Sequence, residues 1–248
     1  DWNKSRESIA LEGDLMFRNN KTCQFKGDYY TNRDKNSLAF DINFNNTDIR
    51  FAQDFLDANT ISNLKGTMFG TIQISGTPLD PKIKGDVQLN DGNIKLELLG
   101  ANFGLNGKIS ISDNLIYIKN MSLNDEFSGK GTLEAKVIHD NFSNWNYRLD
   151  IALAPSSFSF NQNVSDRFLI MNTGYKEGEI YDGTAFVKGT ATIFGTTKET
   201  TIDVDVETKK GSTLNFPMYG QADLKEDKGF ITFGKVSELN SKTETIKE

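Results

Sequence analysis

Apolar and polar residues alternate with period two along nearly the whole chain. Leu38, Phe40, Ile42 and Phe44 are interleaved with Ala39, Asp41 and Asn43, and Ile72 and Ile74 with Thr71, Gln73 and Ser75. The rhythm returns at Ile94, Leu96 and Leu98, at Ile109 and Ile111, and at Leu133, Ala135 and Val137. It continues through Leu149, Ile151 and Leu153, then through Ile202, Val204 and Val206. Successive side chains of a strand point to opposite faces, so each run predicts a strand with one dry and one wet face. The chain therefore reads as all-β.

Turn chemistry predicts how the strands connect. Asp91-Gly92 stands between Val87/Leu89 and Ile94/Leu96, a strong hairpin signal. Asp113-Asn114 separates Ile111 from Leu115, and Lys210-Gly211 separates Val206 from Leu214. Short links of this kind join antiparallel neighbours and predict a meander. One segment departs from the alternation: after Asp48, a candidate N-cap, Phe51, Phe55 and Leu56 recur at helical spacing. That predicts one short helix near 50–58 and a bend over 46–65 that ends at Lys65-Gly66. Residues 237–248, SELNSKTETIKE, have no dry face and read as a flexible end or linker. Residues 1–236 form a single continuous β segment in this reading.

Composition narrows the function. Of 248 residues 37% are apolar, 21 are Gly and only 4 are Pro, a balance suited to many turns and few rigid linkers. The net charge is −6 with scattered basic residues, which gives no electrostatic footprint for nucleic acid. A single cysteine, Cys23, excludes an internal disulfide and reads as a small strand residue. A single histidine, His139, leaves His-based triads and paired-His metal sites without material and is expected at a surface turn. Asp203 and Asp205 share a face but read as a solvated strand surface. Glycines fall one per turn and form no phosphate cradle. The chain is not expected to be an enzyme, and neither a cofactor nor a metal is expected. No apolar run approaches the roughly 18 residues of a membrane helix, and the opening DWNKSRESIALEGDL reads like the interior of a longer protein.

The stretch 183–196, GTAFVKGTATIFGT, has a dry face of Gly183, Ala185, Val187, Gly189, Ala191, Ile193 and Gly195. Three hosts could cover faces of this kind: a second sheet in a sandwich, lipid around an outer-membrane barrel, or the facing half of one sharply curled sheet. Glycine and alanine on a concave side suit the third, because they relieve crowding and leave room for a guest.

Two blocks carry a family resemblance. In ISNLKGTMFGTIQISGTPLDPKIKGDVQLNDGNIKLELLGANF, the positions Gly66, Gly70, Ile72, Ile74, Gly76, Pro81, Ile83 and Gly85, followed by Leu99 and Gly100, resemble the repeating signature of the TamB family in the AsmA-like superfamily. The second block runs from Arg167 to Met218. Its Asn172-Thr173, Tyr181 through Gly189, Ile193, Gly195, Thr208, Gly211-Ser212-Thr213 and Phe216-Pro217 resemble the C-terminal region of TamB proteins from Bacteroidota-type bacteria. The resemblance implies an elongated, curled antiparallel sheet, a β-taco or U-shaped groove. It also implies a periplasmic segment of a bridge-like lipid transfer protein that shields phospholipid acyl chains between inner and outer membrane and serves outer-membrane homeostasis and assembly. The parent would be anchored in the inner membrane, reach the outer membrane, and engage a TamA-like outer-membrane barrel through other parts of its chain rather than through this segment alone. The expected groove lining is Leu38, Phe40, Ile42, Phe44, Ile72, Ile74, Leu96, Leu98, Ile109, Ile111, Leu149, Ile151, Val187, Ala191, Ile193, Ile202 and Val204. The alternative is a β-sandwich adhesin or carbohydrate-binding surface protein with a closed core.

Overall fold

A computed structural model of the chain describes residues 2–3, 7–17, 20–155, 165–176 and 180–216. Strands β1 Trp2–Asn3, β2 Ser8–Phe17, β3 Asn20–Tyr30 and β4 Leu38–Asp48 come first. A 3₁₀ helix, Ile49–Phe55, leads into β5 Ile61–Thr77 and β6 Asp80–Leu96. Then follow β7 Ala101–Ser112, β8 Leu115–Asn124, β9 Lys130–Asp140 and β10 Ser143–Leu153. The last described strands are β11 Phe168–Thr173, β12 Asp182–Thr196, β13 Thr200–Thr208 and β14 Thr213–Asn215. The expected limit between residues 236 and 237 lies outside the described residues.

All the strands join one open, curled antiparallel sheet, with β1 to β10 side by side in chain order. Next to β10 comes β12, and Val187 shows how its two edges are shared. It pairs with Phe168 of β11 on one side and Thr208 of β13 on the other. β10 and β11 thus lie end to end along one edge of β12, and β13 and β14 along the other.

The alternating sequence builds this sheet, and breaks in the alternation bend it. Register shifts fall mid-strand between Phe44 and Thr47, around Lys65, between Leu89 and Gly92, between Asn106 and Ile109, and between Ile118 and Met121. Each is a bulge, in which an extra residue kinks the strand and raises its twist. Asn46, Asn63, Asp91 and Asn120 take positive φ there, at 55°, 56°, 50° and 52°. Asn and Asp tolerate that conformation better than other side chains do. Asp91-Gly92 is accordingly no hairpin: it is a bulge inside β6, and its backbone N–H donates to the Asn106 side-chain oxygen at 2.9 Å. The extra residue shifts parity, so that Val87 and Leu89 before it and Ile94 and Leu96 after it reach the same side. Asp113-Asn114 does turn β7 into β8, as expected. The turn at Lys210-Gly211 sends β14 onward along β12 instead of back along β13.

The short helix stands where the sequence places it. Asp48 caps it by accepting from the Arg50 backbone N–H at 2.9 Å. Its geometry is 3₁₀, and Ile49 is its buried residue, while Phe55 and Leu56 face solvent.

At one end of the sheet the curl closes. The Asn172 N–H of β11 donates to the Leu99 carbonyl beside β7 at 2.8 Å. Phe168 stacks on Phe103 with ring centroids 5.9 Å apart. Ala101, Leu123, Leu153, Leu169, Phe186 and Val187 complete this core. At the opposite end, the Asn141 amide of the β9–β10 turn donates to the Leu79 carbonyl of the β5–β6 turn at 3.2 Å. Turns separated by β6 to β9 meet only because the sheet between them is bent.

Candidate functional site

The candidate site is the apolar face of this sheet, and its continuity can be traced pair by pair. One row of directly opposed residues runs Phe25, Ile42, Ile72, Gly85, Ile111, Ile116, Val137, Tyr147, Gly195. A second runs Phe44, Gly70, Val87, Ile109, Ile118, Ala135, Leu149, Ile193, Ile202. A third joins Met121, Leu133, Ile151, Ala191 and Val204. No charged side chain interrupts these rows.

Glycine in the rows is complementary to its large neighbours. Gly70 lies between Phe44 and Val87, and both of these are buried in one cluster with Cys23. Gly70 has φ +138°, and a Cβ on it would come within 2.2 Å of the Asp86 carbonyl oxygen. Glycine here admits the neighbouring strand and lets bulky side chains lean together across it. What a Cβ at Gly70 would meet is the backbone of Asp86 and Val87, so the glycine there answers to the approach of β6.

Of the expected lining, Leu38, Phe40, Ile42, Ile72, Ile74, Ile109, Ile111, Leu149, Ile151, Ala191 and Ile193 are half-buried on the apolar face. Phe44 is buried beside them. Leu96 and Val187 belong to the closed end, where Leu96 packs against the core and Val187 is part of it. Ile202 and Val204 extend the rows onto β13 and are 61% and 58% exposed. Leu98 stands apart: it sits on the β6–β7 turn with 73% exposure and joins no row. Sequence reasoning left Leu133, Ala135, Val137 and Tyr147 out of the lining, and likewise Phe25, Val87, Ile116, Ile118 and Met121. The signal for the last three was present as Ile116 and Ile118 followed, after a three-residue step, by Met121 and Leu123.

The opposite face is mostly polar. A row runs Asn43, Thr71, Asp86, Ser110, Tyr117, Lys136, Arg148, Phe194, Thr201. Asp86 accepts from Ser110 at 2.6 Å and pairs with Lys108 at 3.1 Å, and these partners hold its carboxyl below the usual range. Asp150 is lowered likewise, first by its bond to Arg148 and then by Thr192. These groups stabilise ionised carboxylates on a wet surface.

Two recesses on the sheet are lined mainly by polar residues, and the smaller also touches Ile151 and Ala191 of the third row. One, of about 670 Å³, opens among turn residues including Asp80, Asp113, Asp140 and Asn144. The other, of about 390 Å³, lies among Thr132, Glu134, Asp150 and Thr192. His139 borders the first, and the expectation of a surface position is corrected. It is buried, stacks on Phe142 and meets Trp145 at a tilt of 50°, with centroids 4.7 Å away in each case, and accepts the Phe142 N–H on Nδ1 at 3.1 Å. Burial against two rings locks the β9–β10 turn. Cys23 lies in β3, as expected of a small strand residue; it is buried, and burial, followed by the charge of Asp14, raises its thiol pKa. No family model, no curated protein and no solved structure matches the chain.

Proposed function

We propose that the chain is a periplasmic segment of a bridge-like lipid transport protein of the TamB type, in which the apolar face shields phospholipid acyl chains as they cross between membranes. One observation carries the reading. One apolar row passes from β3 to β12 and a second from β4 to β13, both half-buried along most of their length, with a mostly polar reverse face. Keeping a methylene out of water is worth about 0.8 kcal/mol, so wetting an acyl chain of about sixteen carbons costs on the order of 10 kcal/mol. A carrier must therefore present apolar surface at every step, and a single charged position in the rows would raise a barrier. Head groups would remain in water beside the sheet, and the reading requires no polar pocket to hold them. The parent chain would bring in the TamA-like barrel partner and the inner-membrane anchor.

The closed end favours a second reading, a surface adhesin or carbohydrate-binding domain with a sealed core, because Phe103, Phe168 and Val187 pack there as in an ordinary interior. Photo-crosslinking separates the two. A photoreactive phenylalanine analogue at Ile111, Leu149 or Ile193 should capture phospholipid in the cell, while the same analogue at Lys84 or Arg148 should not. Failure of all three apolar positions to yield a lipid adduct overturns the transport reading in favour of the sealed core.

A further inference from the structure

The turn between β9 and β10 is held in an unfavourable shape by few contacts. Asn141, Phe142 and Asn144 take positive φ, at 49°, 61° and 50°. Asn tolerates that region, whereas a bulky ring such as Phe142 is an outlier there. Two hydrogen bonds keep Phe142 in place. Its N–H donates to His139 Nδ1 at 3.1 Å, and its carbonyl accepts from the Trp145 indole at 3.1 Å. His139 is itself anchored through its backbone N–H, which donates to the Asn114 carbonyl at 3.0 Å. The same turn carries the Asn141 amide that reaches the Leu79 carbonyl of the β5–β6 turn.

Nδ1 can accept the Phe142 N–H only while it carries no proton. The neutral ring therefore holds its hydrogen on Nε2, and protonation adds a second one to Nδ1, which turns the acceptor into a donor. Two N–H groups then face each other, and the bond that holds Phe142 is lost. Histidine is the side chain that changes charge between about pH 5 and 8, and His139 is the one histidine of the chain.

The recess beside the ring gives the charged form somewhere to go. Its charged groups are Asp80 and Lys82 of β6, Asp113 of the β7–β8 turn, and Asp140 next to His139. Asp80 pairs with Lys82 at 3.1 Å, and Asp113 Oδ2 pairs with Lys84 at 3.3 Å. Asp113 Oδ1 is buried and has no hydrogen-bond partner among the described residues. At this end β8 and β10 bring no charge before Lys119 and Arg148. A carboxylate oxygen without a donor is the partner that an imidazolium N–H bonds most strongly.

We propose that His139 is a protonation-controlled latch: neutral, it holds the β9–β10 turn against the β5–β6 turn, and charged, it swings toward Asp113 and lets that turn go. Phe142 then relaxes out of positive φ, Asn141 leaves the Leu79 carbonyl, and the bend of the sheet loosens at this end. The latch is independent of what the apolar face carries.

The test is an NMR pH titration of the whole chain, in which the only imidazole is identified without substitution. At about pH 8 the ring should carry its hydrogen on Nε2, and a cross-peak should connect the Asn141 side-chain amide with Leu79. Between about pH 8 and 5 the Phe142 amide should shift with the same midpoint as the ring, and the Asn141–Leu79 cross-peak should vanish. His139→Asn sets a neutral oxygen near the place of Nδ1 and should abolish the pH dependence of both signals, whichever state the turn then holds. Asp113→Asn removes the charge that receives the ring and should move the midpoint to lower pH. The latch is overturned by a ring that does not titrate in this range, or by one that titrates while the turn signals stay fixed. A transition that survives in His139→Asn, or a midpoint indifferent to Asp113→Asn, overturns it equally.

Discussion

At the scale of single residues, the sheet is set by where a Cβ can and cannot be. Gly189 on β12 has φ +148°, and a Cβ there would approach the Asp205 carbonyl oxygen of β13 to 2.1 Å. Gly174, beyond β11, has nothing within 4 Å of the same position. Gly189→Ala should therefore cost about 1–3 kcal/mol through forced backbone adjustment, while Gly174→Ala should change stability by less than about 0.5 kcal/mol. Urea unfolding of the two variants beside the parent measures the contrast, and equal effects would show that the close approach at Gly189 is easily relieved. Alanine and glycine on the dry face of β12 thus answer to the neighbouring strand before they answer to any guest.

At the scale of the strand, the bulges decide the outcome. Asn120 interrupts β8 with φ +52°, and the step it introduces keeps Ile118 and Met121 on one face. Asn120→Gly should leave stability unchanged or raise it slightly. Asn120→Val places a β-branched residue where φ is positive and should cost about 1–3 kcal/mol. Thermal melts of the pair distinguish this from a general intolerance at the site, which would penalise both. The strands themselves were legible because period two survives in nearly every one, and the helix was legible from Asp48 and the spacing that follows it. The bulges were not. Asp-Gly is the same chemistry in a type I′ turn and in a kinked strand, since both need positive φ, and only the partner strand decides between them. Asp91-Gly92 lies opposite Leu105 and Asn106 of β7, a pairing invisible in β6 alone. The role of glycine in the candidate site was hidden for the same reason. Gly70 becomes meaningful once register sets it between Phe44 and Val87.

At the scale of the whole sheet, the apolar face is buried at some positions, Val187 among them, and half-buried at others such as Ile111, and the two kinds should respond differently to charge. Val187 is 2% exposed within the core that β11 closes against β7. An aspartate there has no partner, and burying an unpaired carboxylate costs several kcal/mol, comparable with the whole stability of a domain. Val187→Asp should therefore unfold the protein, and loss of transport in that variant would say nothing about lipid. Ile111 lies on the same face and in the same sheet but is half-buried, opposite Gly85 and Ile116. A carboxylate at 111 can reach water, so Ile111→Asp should keep a cooperative thermal transition while reducing co-purified phospholipid severalfold in mass spectrometry. The comparison is decisive because both substitutions add the same charge to the same face, differing in whether protein already covers the position. Unfolding of Ile111→Asp to the extent of Val187→Asp would mean that the sealed core extends along the rows, leaving no apolar surface free to meet an acyl chain.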